Sequence, residues 1–167
     1  MGWSGVIVSF EPIVGDDPKV LILGTMPSVK SLEKHQYYGH PRNQFWPILF
    51  ELLGEQVAEC YGEKVDFAKS NKIAVWDVLA QCERVGSLDS DINNETPNEI
   101  KAFLEMNPSI KTIAFNGGKA ESSFRKFFKD ILSDTNYTFI KLPSTSPAYT
   151  LGKDKKLEQW KILMNRI

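Results

Sequence analysis

KVLILG, residues 19–24, sets four apolar side chains in a row between a lysine and a glycine. Neighbouring side chains of a strand point to opposite faces, so an unbroken apolar run marks a strand covered on both sides, as in a parallel sheet. KIAVWDV (72–78), KTIAFNGG (111–118) and NYTFIKLPS (136–144) repeat that form. The segments between them follow a helical period instead. NQFWPILFELLG places Phe45, Leu49, Leu52 and Leu53 on one face and stops at Gly54. TPNEIKAFLEMN opens with Thr96 and Glu99 spaced as a capping box, with Pro97 at the first helical position. KAESSFRKFFKDIL gathers Ala120, Phe124, Phe127, Phe128 and Ile131, and KKLEQWKILMNRI gathers Leu157, Trp160, Leu163 and Ile167. Strand alternating with helix implies βαβ units. The expected fold is an α/β, three-layer α/β/α sandwich around a short, mostly parallel four-stranded sheet, as one domain over residues 1–167. VIVSFEPIV adds an edge strand, since Pro12 has no amide to offer a sheet centre.

The 167 residues suffice for one domain with a sizeable core, and two cysteines, Cys60 and Cys82, cannot supply a four-thiolate metal site. The start, MGWSGVIVSFEP, lacks the signature of a secretory signal, and no apolar run is long enough to span a membrane. A cytoplasmic protein is expected. Net charge is −1, yet from Lys119 onward ten Lys/Arg stand against five Asp/Glu. A basic C-terminal third suits phosphate contact, although such charge often forms only a solvated face.

In open α/β sheets ligands sit beyond the carboxyl ends of the strands. Those exits here read GTMPS, WDV, NGG and LPSTSPA. GTMPS is too short for a phosphate-binding P-loop and lacks its lysine; Gly24 lets backbone approach a ligand, Pro27 fixes the turn, and Ser28 or Ser31 suits a helix cap. Ser28 as a nucleophile lacks the G-x-S-x-G elbow. The stretch HQYYGHPRNQFW (35–46) crowds aromatic rings around one asparagine. Asn43 either caps the helix or presents its amide to a ligand. Tyr37 and Tyr38 precede a Gly-x-Pro turn, where core burial is least expected, so their faces suit a planar ligand. LPSTSPAYT packs three hydroxyls between two prolines, as a phosphate-gripping loop or a self-bonded turn.

In order and spacing, GTMPS, YYGHPRNQFW, WDVLAQC…GSLDSDI, FNGG and KLPSTSPA resemble the hypoxanthine/uracil-DNA glycosylases, the deoxyinosine glycosylase branch (family 6) of the uracil-DNA glycosylase superfamily. The resemblance covers roughly residues 19 to 150. It implies the three-layer fold, a DNA partner containing deaminated bases, and hydrolysis of the base–deoxyribose bond without metal or other cofactor; a monomer is expected. Carried over, Gly24, Thr25, Met26, Pro27 and Ser28 line the sugar and base pocket. Met26 stands where relatives place the Asp or Asn that holds the attacking water, and Asn43 is the implied substitute. Asn116 stands where relatives have Trp. The base-reading Asn of uracil-specific relatives falls at about Trp76, beside Asp77. Asp77 is read as a second catalytic group, as base or as balance to the sugar cation, or else as a helix cap before VLAQC. Phe45, ahead of Tyr38, is expected to stack on the base. Ser144, Thr145, Ser146 and Pro147 form the DNA-gripping loop, Tyr149 or Leu151 fills the emptied stack, and Lys141, Lys153, Lys155 and Lys156 supply charge. The competing readings are a binding module without catalysis and a hydrolase acting through Ser28.

Overall fold

The computed structural model describes residues 6–167, so the first five residues of the MGWSGVIVSFEP start lie outside it. In chain order the elements are β1 (Val6–Val8), β2 (Val20–Gly24), α1 (Val29–Lys34), α2 (Phe45–Leu52), α3 (Tyr61–Ser70), β3 (Ile73–Asp77), β4 (Leu79–Glu83) and β5 (Asn93–Pro97). There follow α4 (Ile100–Met106), β6 (Thr112–Asn116), α5 (Gly118–Phe127), α6 (Lys129–Leu132), β7 (Thr138–Leu142) and α7 (Lys153–Trp160), with a short 3₁₀ tail over Lys161–Asn165. Four parallel strands form the central sheet in the order β3-β2-β6-β7. The four apolar runs are these four strands. Every residue of β2, β3 and β6 is buried, which requires cover on both faces.

The register explains which helices cover which face. Leu23 pairs with Trp76 on one side and Phe115 on the other, so these three side chains share a face. Trp76 meets Phe103 of α4, and Phe115 meets Phe124 of α5, which names that layer. α2 packs on α3 through Phe50 and Phe67, and on α7 through Phe45 and Trp160, to form the opposite layer. Right-handed crossovers demand this division, because β2 to β3 runs one way across the sheet and β3 to β6 to β7 runs the other. No helix among the described residues is long and apolar enough to cross a membrane.

Three expectations need correction. VLAQC does not begin a helix: Leu79–Glu83 is a strand, the centre of a second, antiparallel sheet in the order β1-β4-β5. The Thr96–Glu99 capping box does not form either. Thr96 and Pro97 are spent pairing with Gln81 and Leu79, so α4 starts only at Ile100. Pro97 is tolerated at the end of the outer strand β5, where its missing amide does little harm. The Asn98 side chain seals the junction, donating to the Asp77 and Leu79 carbonyls. Finally, KAESSFRKFFKDIL breaks into two helices at Phe128, whose φ of −131° and ψ of 37° leave the helical range. VIVSFEPIV contributes to both sheets: β1 pairs with β4, while Ile13, just after Pro12, bridges to Val75 on the central sheet's edge.

Candidate active site

The alternation that sends Trp76 and Phe115 toward α4 and α5 sends their successors the other way. Asp77 and Asn116 therefore end β3 and β6 pointing toward the α2 layer, flanking Gly24 at the end of β2. Gly24 keeps the space between them open. A Cβ there would lie 2.6 Å from Asp77 Oδ1 and 2.9 Å from Tyr38 Oη. The result is a cavity of about 280 Å³ at the carboxyl ends of the strands. That is close to the lower end of small-ligand pockets, roughly 300 Å³, and suits one planar base better than a whole nucleotide.

Loops held by buried polar contacts build the walls. Asn116 grips Thr145 twice: its Nδ2 donates to Thr145 Oγ1 at 3.0 Å, and its Oδ1 accepts from the Thr145 amide at 3.0 Å. The Thr145 carbonyl accepts in turn from the Gln44 amide at 3.1 Å, tying the Ser-Thr-Ser loop to the start of α2. Gly117, at φ +102°, allows this approach; a Cβ there would stand 3.1 Å from Ser144 Cβ. Lys156, fully buried, donates to the Ser146 carbonyl from below, and Trp160 Nε1 to the Pro143 carbonyl. On the opposite wall Thr25, Met26 and Pro27 are buried, and Ser28 caps α1 by accepting from the Ser31 amide. Arg84 braces that wall by donating to the Pro27 carbonyl at 2.6 Å and the Gly86 carbonyl at 2.7 Å. The Val29 amide donates to Ser87 Oγ, so the 84–89 loop closes the remaining side.

Three side chains of the cavity stand out by their geometry. Asn43 lines the cavity, and its Oδ1 accepts from the Phe45 amide at 2.9 Å, which holds the side-chain amide at the start of α2. That bond uses one of the two lone pairs of the carbonyl oxygen, and the N-cap position of α2 itself is Gln44. Tyr38 presents a ring to the cavity and rests its other face on Phe45, centroids 4.0 Å apart and 19° from parallel. Its φ of +55° is unusual for a bulky residue, and such strain concentrates at functional sites. Asp77 lies at the floor, 3% exposed, and its Oδ2 has no hydrogen-bond partner among the described residues. Burial lifts its carboxyl from 3.8 to about 7; the carboxylate of Asp89 adds to the rise, and the guanidinium of Arg84 opposes it. Burial likewise raises the Tyr38 phenol.

The cavity gathers Gly24, Thr25, Met26, Pro27, Ser28, Tyr38, Asn43, Asp77, Asn116, Ser144, Thr145, Ser146 and Tyr149. Other expected site residues lie elsewhere. Phe45 is fully buried behind Tyr38, so the exposed aromatic face belongs to Tyr38. Trp76 points away and donates to the Phe10 carbonyl. Tyr37 does line the cavity beside Tyr38, but, far from being free at a turn, it is 4% exposed and its hydroxyl donates to the carbonyls of Phe10 and Glu11. Thr145 is wholly buried and its hydroxyl serves Asn116, so no phosphate reaches it. Pro147 is exposed outside the cavity, as is Lys153, which pairs with Glu51 at 3.1 Å. Leu151 also lies off the cavity, and buried Lys156 offers no surface charge. The Ser loop is partly self-bonded: Ser144 Oγ accepts from the Ser146 amide and Ser146 Oγ from the Ala148 amide. Both hydroxyl protons stay available to an outside acceptor. Ser87, Leu88 and Asp89 were given no role from sequence, although GSLDSDI is one of its distinctive strings; only the fold carries them to the rim.

The family model for the uracil DNA glycosylase superfamily matches residues 12–166. The chain belongs to the uracil DNA glycosylase superfamily. It is similar to a hypoxanthine DNA glycosylase of Methanosarcina barkeri, 38% identical over 90% of this chain and 93% of that protein. A hypoxanthine DNA glycosylase of Methanosarcina acetivorans is 34% identical over the same shares. A solution NMR structure of a candidate uracil DNA glycosylase from Methanosarcina acetivorans superposes with a TM-score of 0.82 at 32% identity, covering 95% of this chain and 96% of that one. Within this superfamily fold, the cavity at the strand exits is where the motifs quoted above converge.

Proposed function

We propose that the protein is a monofunctional DNA glycosylase that receives a deaminated base, hypoxanthine or uracil, flipped out of DNA and hydrolyses its bond to deoxyribose. It acts as a cytoplasmic monomer in base excision repair. The observation that carries this reading is the position of Asn43, whose amide faces the same cavity as the Gly24–Ser28 loop and the Ser144–Ser146 loop. The names of the two Methanosarcina relatives support it.

The chemistry follows from what each group can do. Extruding a base costs a few kcal/mol of stacking, and the Tyr38 ring, backed by Phe45, returns about 1–3 kcal/mol of it. The hydroxyls of Ser144 and Ser146 donate to backbone phosphates, and Tyr149, at 47% exposure on the rim, fills the gap left in the duplex. Breaking the glycosidic bond builds positive charge on the sugar and negative charge on the base. The free lone pair of Asn43 Oδ1 accepts a hydrogen bond from the attacking water and aims its oxygen at the sugar. Met26 has no lone pair fit for that purpose, so the duty falls on Asn43. The same Met26 keeps a second reading in view, a module that binds lesions without turnover.

Purified protein incubated with an end-labelled duplex carrying one deoxyinosine or deoxyuridine, without metal, gives an alkali-labile site. Asn43→Ala lowers the single-turnover rate by at least about a hundredfold, the usual cost of removing a positioned polar group. Wild-type binding without any alkali-labile product would establish the binding module instead.

A further inference from the structure

The cavity floor is chemically unfinished. Asp77 Oδ2 is buried and lacks a hydrogen bond among the described residues. Buried polar atoms are rarely left without a partner, and this one lines the cavity, where a ligand would complete it. Depth decides which part of a flipped nucleotide does that. The sugar and phosphates stay joined to the duplex, so they remain near the half-exposed Asn43, Ser144 and Ser146. Only the base can descend to a group that is 3% exposed at the strand ends.

Granting that the protein is a glycosylase, we infer that Asp77 is the base-reading group and works as a neutral carboxylic acid, not as a general base. Its hydroxyl donates to the carbonyl oxygen of the base, and its carbonyl oxygen accepts the neighbouring ring N–H. The ligand edge it fits is a lactam, –CO–NH–, which hypoxanthine and uracil both carry and which deamination creates. When the C1′–N bond breaks, its electron pair goes to the base and spreads onto that carbonyl oxygen. The Asp77 hydrogen bond strengthens at that moment, which is the condition for lowering a barrier. Water's oxygen bonds to C1′, and the proton it sheds balances the departing base through solvent; Asp77 forms no covalent bond. An ionised Asp77 would do the reverse, setting a negative oxygen against another that is becoming negative.

The surroundings favour the neutral form. The groups facing Asp77 are the Asp89 carboxylate on the 84–89 loop, the phenols of Tyr37 and Tyr38 on the loop before α2, and the single cation Arg84. Arg84 donates through Nε and Nη2 to the Gly86 and Pro27 carbonyls and makes no hydrogen bond to Asp77, while its buried Nη1 has no partner among the described residues. Asn116, across Gly24, is occupied by Thr145. With burial, this arrangement lifts the carboxyl to about 7, so both forms are reachable in ordinary buffers.

The two roles for Asp77 predict opposite pH profiles. Single-turnover release from a deoxyinosine duplex is measured from pH 5 to 9.5 for wild type, Asp77→Asn and Asp77→Ala. The neutral acid gives a wild-type rate that is flat below about pH 7 and falls about tenfold per pH unit above it. Asp77→Asn, which keeps a donor and an acceptor, retains a reduced rate without that fall, whereas Asp77→Ala loses at least about a hundredfold at pH 6. Ionisation of the DNA itself affects every profile, so the ratio of wild type to Asp77→Asn isolates this carboxyl. A wild-type rate that climbs through pH 7 overturns the inference without touching the glycosylase reading, and needs no variant to fold. So does an Asp77→Asn protein that binds an abasic-site duplex normally yet releases nothing at any pH. No base release by wild type at any pH would instead sink the glycosylase reading itself.

Discussion

Replacing Asp77 by Asn tests the buried floor without any DNA. The wild-type carboxyl titrates near 3.8 in the unfolded chain and at about 7 in the folded one. Between those values the native state holds a proton that the unfolded state has released, so stability falls as pH rises, by about 1.4 kcal/mol per pH unit. The loss begins near pH 4 and is complete a little above 7, where it amounts to about 4 kcal/mol, given the roughly threefold decade span at that rate. Asn carries no such charge. Urea unfolding of both proteins at matched pH should therefore show no gap that depends on this carboxyl below pH 4, a growing advantage for Asp77→Asn through pH 5 and 6, and a plateau near pH 8. Titrations shared by the two proteins cancel in the difference. A difference that stays constant from pH 4 to 8 would mean that Asp77 is solvated or paired in the native state, and the orphaned floor would be a fiction.

Two further substitutions probe the frame around that floor. Gly24→Ala puts a methyl group 2.6 Å from Asp77 Oδ1 and 2.9 Å from Tyr38 Oη, so both must shift. A displacement of that order costs about a hundredfold in kcat/KM, measurable by base release, while circular dichroism stays native. Asn116→Ala removes both bonds to Thr145 and leaves a buried amide unpaired. The expected cost is about 2–3 kcal/mol, seen as a Tm lower by roughly 5–10 °C, with a raised KM as the Ser144–Ser146 loop loosens.

The central sheet was legible because parallel strands buried on both faces leave an unmistakable apolar signature, and the four runs map onto β2, β3, β6 and β7. The position of the site followed from where those strands end. Finer assignments failed where tertiary pairing overrode local pattern. Thr96, Pro97 and Glu99 spell a helix start, but Leu79 and Gln81 offered Thr96 and Pro97 a strand partner. Phe45 had the helical spacing of a core residue and is one; Tyr38 took the outward face because an αL backbone turns it over Phe45, a geometry no spacing encodes. The choice between Trp76 and Asp77 stayed open in the sequence: adjacent residues of a strand face opposite ways, but only the register that sets Gly24 beside Asp77 shows which side is open. The burial of Lys156 was equally hidden, since its place depends on the loop it supports.

The most direct test of the whole account is to quantify free base by mass spectrometry after incubating the protein with duplex DNA containing a single deoxyinosine and no added metal. Hydrolytic base release through Asn43 requires free hypoxanthine in one-to-one proportion with alkali-labile sites, lost together in Asn43→Ala. Tight binding of that duplex with no free hypoxanthine would contradict it.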